Sequence, residues 1–218
     1  MSAYVPSKIK PKYRGVSHFI GFCVALAAGA ALLGSPQSGE PYVGGVVYAL
    51  TLITMLGMSA LYHRPMWSHG ARRILRRVDH SGIFFLIAGT YTAFWTVAPE
   101  AVRSTLLLWV MWSCVIAGVL AFVLWTDMPR VLRSAVYVVL GLSTLPLAVA
   151  LPGFVGWPGT LGVLGGGAIY IAGAVVYARR WPNPDPRIFG YHEVFHVMVL
   201  IAAGMHFAVV FRVHWAQA

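Results

Sequence analysis

Residues 190–211 read GYHEVFHVMVLIAAGMHFAVVF, and the two halves of this stretch indicate different things. The first half contains His-Glu-x-x-His, the pattern with which a helix of a soluble zinc peptidase binds its metal. The second half continues an apolar run, and about 20 such residues cross the ~30 Å hydrocarbon core of a bilayer. Backbone groups find no water in lipid, so such a run is expected to be helical. The stretch therefore has three interpretations: a peptidase fragment, a metal site inside a membrane helix, or a chance pair of histidines.

The composition of the whole chain indicates a membrane protein. Its 218 residues are 59% apolar and 10% charged, whereas soluble domains average roughly 45–50% and about 25%. We predict an all-α fold, a bundle of seven transmembrane helices over residues 16–34, 42–63, 78–98, 104–126, 130–150, 158–178 and 188–212. The connections are short, so we expect one membrane domain, residues 16–213, behind a basic cytoplasmic tail, residues 1–15.

The basic residues set the expected orientation. All of the 16 Lys and Arg except Arg103 and Arg212 fall on the side of the N-terminal tail in this seven-helix prediction. The positive-inside rule then places the N-terminus in the cytoplasm and the C-terminus outside, as in a multi-pass protein of the inner (plasma) membrane. The arginines of RRILRR, residues 72–77, are suited to bind anionic lipid head groups. No nucleic-acid partner is expected, because no soluble basic domain is present, and the oligomeric state stays unknown.

Ionisable side chains inside the predicted helices are the candidates for function, because each costs a few kcal/mol to insert into a bilayer. His63 ends the second helix, Asp79 begins the third, and His192 and His196 lie early in the seventh. The second helix runs inward, whereas the third and the seventh run outward. All four side chains are therefore expected at one level, near the cytoplasmic face.

The types and spacing of these residues suit a metal ion. His192 and His196 are four residues apart, so their Cβ atoms are expected about 5–6 Å apart on one helical face. Neutral imidazoles bind zinc at roughly 2.0–2.1 Å, and three protein ligands with an open fourth position are typical of catalytic zinc. His63 is the candidate third ligand. Asp79 then either holds and deprotonates a water or orients a ligand imidazole, and Ser59 hydrogen-bonds that water or a substrate carbonyl.

Each residue also has a structural interpretation. A histidine at a helix end is commonly an interfacial hydrogen-bonding residue, Ser59 fits as a packing residue, and Asp79 fits as a helix N-terminal acid beside arginines. Glu193, the base in the peptidase pattern, is also placed to pair with a cytoplasmic arginine or to favour the helix N-terminus. His206 lies about 15 Å of helix rise beyond His196, too far to complete a peptidase site. A membrane metal site is therefore favoured over a peptidase.

Three motifs together resemble a known family. They are SALYH at 59–63, RRVDHSGIFFLIAGTYT at 76–92 and GYHEVFH at 190–196. In combination they are similar to the hemolysin III proteins of bacteria, which belong to the progestin and adipoQ receptor superfamily together with the adiponectin receptors. The resemblance covers nearly the whole chain in length, helix number and inward N-terminus, whereas any one motif alone would be a weak signal.

The resemblance implies a seven-helix fold with zinc bound by His63, His192 and His196, with Asp79 holding the zinc water and Ser59 one turn before the first ligand. The alkaline ceramidases of the wider group imply hydrolysis of a membrane lipid amide or ester, and bacterial members imply a role in membrane lipid homeostasis. Enzyme activity stays open. The alternatives are a non-catalytic sensor or regulator of membrane state, in which zinc only ties two helices together, and a membrane-damaging hemolysin.

Overall fold

The computed structural model describes residues 10–125 and 128–216, so Lys8 and most of the predicted tail lie outside the described residues. Seven α-helices follow one another: α1 Val16–Leu33, α2 Gly39–His63, α3 His69–Val97, α4 Thr105–Leu124, α5 Arg130–Leu142, α6 Leu145–Arg179 and α7 Tyr191–Ala216. A short 3-10 turn, Glu100–Val102, connects α3 to α4. Five helices (α1, α2, α4, α6 and α7) are long and apolar enough to cross a membrane. The predicted all-α, seven-helix membrane fold is confirmed.

Most of the packing is between helices adjacent in the chain, and α7 completes the bundle. α2 lies between α1 and α3, α4 and α5 lie against α3, and α7 contacts α6, α1, α2 and α3. α2 and α3 approach closely because small residues face hydroxyl side chains. A Cβ added at Gly44 would lie 2.0 Å from Thr96 Oγ1, and one at Gly89 would lie 2.0 Å from Thr51 Oγ1. Close approach of this kind supplies the dispersion contacts that hold membrane helices together.

The fifth and sixth spans differ from the prediction. The sequence predicts one helix over 130–150 and a non-helical connection before residue 158. In the structure α5 ends early, α6 begins after two residues, and α6 continues through the predicted connection. Only Gly156 leaves helical geometry there, with φ 70° and ψ 169°, a conformation that glycine tolerates. Pro146 lies in the first turn of α6 and Pro158 just after the break, where the missing N–H of proline costs no helical hydrogen bond.

The bundle has two polar ends. We name as the histidine end the one that holds residues 10–15, the end of α2 and the start of α7. At the opposite end, Arg103 donates to Glu40.

The chain reverses direction between α5 and the end of α6. Arg133 at the start of α5 donates to the Tyr177 hydroxyl near the end of α6 at 3.0 Å. These two residues therefore lie at the same end of the bundle, and the chain between them turns back at Gly156. The helices thus alternate in direction as predicted.

Candidate metal centre

Three buried imidazoles meet at the histidine end. His63 comes from the last turn of α2, and His192 and His196 come from the first turns of α7. Each offers a ring nitrogen, and these nitrogens all lie within 4.8 Å of one another. The Nε2 atoms of His63 and His192 are 3.3 Å apart. The structure therefore brings together the three histidines that the sequence predicts as metal ligands.

Asp79 lies beside this cluster on α3. Its carboxylate is buried, with Oδ2 3.7 Å from His63 Nε2 and 3.1 Å from His80 Nδ1. The backbone carbonyl of His80 accepts a hydrogen bond of 2.7 Å from the Tyr137 hydroxyl, which joins α3 to α5. The carboxylate therefore faces imidazoles at the depth that the helix directions predict.

Ser59 also lies beside the cluster, and it contacts His18, a residue that the spacing argument did not include. Its Oγ is 2.7 Å from Nδ1 of His18, and both side chains are buried. The His18 ring stacks on the ring of His196, with centroids 3.8 Å apart and planes 7° apart. The only sequence signal for His18 was an ionisable residue at the start of an apolar helix, since spacing along the chain does not reveal which helix face meets which.

Glu193 has a structural role at the start of α7. Arg14 donates to Oε1 of Glu193, and the backbone N–H of Gly190 donates to Oε2 at 2.8 Å. A glutamate that accepts from the N-terminal N–H of its own helix is half of a capping box. Both carboxylate oxygens thus have hydrogen-bonding partners. This agrees with the predicted pairing with a basic residue and not with the role of a peptidase base.

The segment before α1 crosses the histidine end. The backbone N–H of Lys12 donates to the Arg187 carbonyl at 3.0 Å, and Lys10 Nζ donates to the Arg64 carbonyl at 2.7 Å. Partial burial, followed by the charges of Arg72 and Arg64, lowers the pKa of Lys10. The segment therefore joins the end of α2 to the loop that precedes α7.

This segment reaches α1 through a glycine that touches a candidate ligand. Gly15 has φ 77°, and a Cβ built on it would lie 2.6 Å from Cβ of His63. A side chain at this position would be strained by the positive φ and would collide with the ligand residue. The close approach places the backbone before α1 directly against the cluster.

A cavity of about 60 Å³ adjoins the histidines. One water needs about 10–15 Å³ of such space, so the cavity has room for a few waters. Its polar lining includes Ser59, Asp79, Arg133, Tyr177, His192 and His196. Two of the three clustered imidazoles, the carboxylate and the hydroxyl thus share one small space.

Comparison with known proteins agrees with this architecture. Residues 7–207 match the model of the family described as Haemolysin-III related. The chain is 27% identical over 204 residues to the Hemolysin-3 homolog of Bacillus subtilis (strain 168), covering 90% of this chain and 91% of that protein. It is 25% identical over 214 residues to Hemolysin-3 of Bacillus cereus, covering 95% and 91%.

A further relative comes from an animal. The Adiponectin receptor protein of Drosophila melanogaster is 26% identical over 220 residues, which cover 88% of this chain and 48% of that protein. No solved structure matches the chain.

Proposed function

This chain belongs to the Haemolysin-III related family of multi-pass membrane proteins, related to adiponectin receptors, and on that premise we propose that it is a zinc-dependent hydrolase of lipid amides or esters. We place its action in membrane lipid homeostasis, with the histidine end facing the cytoplasm. The observation that carries the proposal is the meeting of three buried imidazoles, two of which line a cavity together with the Asp79 carboxylate and the Ser59 hydroxyl.

The donor set fits zinc. Two imidazole nitrogens bound to one tetrahedral zinc at 2.0–2.1 Å lie about 3.3 Å apart, the separation of the Nε2 atoms of His63 and His192. His196 offers the third donor, since the ring nitrogens of all three histidines lie within 4.8 Å of one another. Imidazoles favour zinc over magnesium or calcium, which prefer oxygen ligands. The set leaves a fourth position for water or substrate.

The chemistry that zinc supplies in such a site is Lewis-acid polarisation of a carbonyl and activation of water. The role of the chain falls first on Asp79, whose Oδ2 takes a proton from the attacking water. As the acyl C–N or C–O bond breaks, the same carboxyl returns that proton to the leaving nitrogen or oxygen. His80, 3.1 Å away, holds the carboxylate in place. Ser59 Oγ, held by His18, is placed to donate to the substrate carbonyl.

A lipid substrate requires movement of helices. The cavity has room for a few waters, which is enough for the attacking water but not for an acyl chain. Its lining includes Ser134 and Tyr137 of α5 and Ala174 and Tyr177 of α6. We propose that the acyl chain reaches the site by separating these two helices from α3 and α7.

The small cavity also favours a second candidate, a non-catalytic regulator in which zinc only joins α2 to α7. In that case chelation lowers thermal stability while no lipid is cleaved. A membrane-damaging activity follows only from the names of the Bacillus relatives, and no contact in the described residues singles it out.

The test uses the full-length protein in nanodiscs that contain an N-acyl lipid or an acyl-ester lipid, with fatty-acid release as the measurement. We expect release from zinc-loaded wild type, and loss of release in Asp79→Asn with zinc content unchanged. Asp185→Asn is the matched control, because Asp185 lies in the loop before α7, where its Oδ1 accepts a hydrogen bond from the backbone N–H of Arg187. Zinc-loaded wild type that cleaves neither lipid, yet melts at lower temperature after chelation, would establish the regulator instead.

A further inference from the structure

His18 is a buried histidine outside the predicted ligand set. It lies in the first turn of α1, only 3% of its surface is exposed, and it lines the cavity beside the cluster. Its Nε2 has no hydrogen-bonding partner among the described residues. A buried polar atom without a partner destabilises the folded state, so a residue that served only for packing would be better replaced by an apolar one.

The contacts of His18 reach two components of the site on two different helices. Its Nδ1 is 2.7 Å from Oγ of Ser59 on α2. Its ring lies face to face with that of His196 on α7, at 3.8 Å and 7°. The hydrogen bond limits rotation of the serine hydroxyl, and the stack limits rotation of the imidazole about its Cβ–Cγ bond.

Among the described residues no other ring stacks face to face on His196, since its contacts with His63, His192 and Phe195 are edge-on or tilted. Its own Nδ1 lacks a hydrogen-bonding partner there, whereas metal-binding histidines generally have the second ring nitrogen held by an acceptor. The flat face of His18 supplies the missing constraint on the ring plane by contact rather than by a hydrogen bond.

We propose that His18 is a positioning residue of the metal centre, which fixes the ring plane of His196 by stacking and the direction of the Ser59 hydroxyl by hydrogen bonding. The inference rests on the proposed zinc site but not on hydrolysis. Removal of groups that orient metal ligands typically weakens metal binding by 10–100-fold, and His18 is assigned an effect of that size although it donates no ligand atom.

Zinc affinity, measured by competition with a chromophoric chelator, tests the proposal in the full-length protein. We expect His18→Ala to weaken zinc binding by at least tenfold and to alter the absorption spectrum of the cobalt(II)-substituted protein. His18→Phe keeps a stacked ring and is expected to retain more affinity than His18→Asn, which lacks one. Ser59→Ala removes only the hydrogen bond and leaves the stack in place, so its affinity is expected near that of wild type.

His206→Ala is the matched control, because it also removes a buried imidazole, one that belongs to α7 and contacts a backbone carbonyl. It is expected to lower the melting temperature of the metal-free protein without changing zinc affinity. Zinc affinities of the His18 variants within twofold of wild type would overturn the proposal and leave the zinc site standing. Failure of every His18 variant to fold would make His18 a structural residue and would also overturn it.

The outcomes for the proposed function differ from these. Wild type that binds zinc and cleaves no lipid ends the hydrolase proposal but not the assignment of His18. Wild type that binds no zinc ends both.

Discussion

Histidines occur at both ends of the bundle, but their surroundings differ. Further along α7 from the cluster, His206 Nε2 lies 2.9 Å from the Val163 carbonyl of α6. Close to the opposite end, His214 Nε2 lies 3.0 Å from the Pro41 carbonyl at the start of α2. Such contacts join α7 to its neighbours in the way polar side chains commonly join membrane helices.

At the histidine end the imidazoles face one another instead. His63 and His192 meet through their Nε2 atoms, and Nε2 of His18 and Nδ1 of His196 have no partner among the described residues. Such an arrangement costs stability unless a ligand satisfies the nitrogens. The surroundings of a membrane histidine, rather than its presence, therefore separate a helix contact from a site.

The largest expected effect comes from removing ligands. The double change His192→Ala, His196→Ala removes two of the three proposed ligands, and zinc content is expected to fall from about one ion per chain to near zero, since three protein ligands are needed for a catalytic site. His206→Ala on the same helix is expected to leave zinc content unchanged. Metal analysis of the purified proteins checks both. Equal zinc content in the double variant and wild type would end the distinction between the two kinds of histidine.

Asp79→Asn separates catalysis from metal binding. Loss of a general acid–base group costs about 10²–10⁴-fold in rate, and the asparagine keeps the shape of the side chain beside His63 and His80. Fatty-acid release is therefore expected to fall by at least 100-fold with zinc affinity changed far less than in the double histidine variant. A parallel loss of zinc and activity would instead assign Asp79 to orientation of the ligands.

The same chemical change in two acidic residues compares the ion pairs at the two ends. Glu193 is 2% exposed and is held by Arg14, whereas the Glu40 side chain opposite Arg103 is 63% exposed. Glu193→Gln weakens a buried charged hydrogen bond and is expected to cost about 2 kcal/mol. Glu40→Gln is expected to cost less than about 1 kcal/mol, as for exposed pairs. Chemical denaturation in detergent measures both, and equal losses would contradict the difference in burial.

Two glycines with positive φ give the smallest expected difference. Gly15 has φ 77° and touches His63, whereas Gly39 has φ 63° and nothing within 4 Å of an added Cβ. Alanine costs about 1–2 kcal/mol at either position from the left-handed backbone. Gly15→Ala adds overpacking of about 1 kcal/mol and is expected to weaken zinc binding through His63, which Gly39→Ala does not touch. Unfolding and zinc titration of the two variants measure the difference. A larger loss of stability and zinc affinity in Gly39→Ala than in Gly15→Ala would show that Gly15 is not packed against the site.

Hydropathy predicts where the chain lies in a membrane but not where its helices begin. α3 starts at His69, ahead of the predicted residue 78, because Ser68 caps a polar turn, accepting from the N–H of Ala71. That turn carries RRILRR, and charged residues form helix as readily as apolar ones. The same limit applies to α6, where Gly156 rather than a polar loop separates two spans.

The membrane class, the number of helices and the depth of His63, Asp79, His192 and His196 can be predicted from residue order alone, because a helix rises about 1.5 Å per residue and each apolar run has a direction. The stacking of His18 on His196 and the pairing of Arg14 with Glu193, across 179 positions of the chain, become visible only in the folded bundle. Depth follows from counting residues along one helix. Rotation of a helix about its axis is instead set by packing against the other helices.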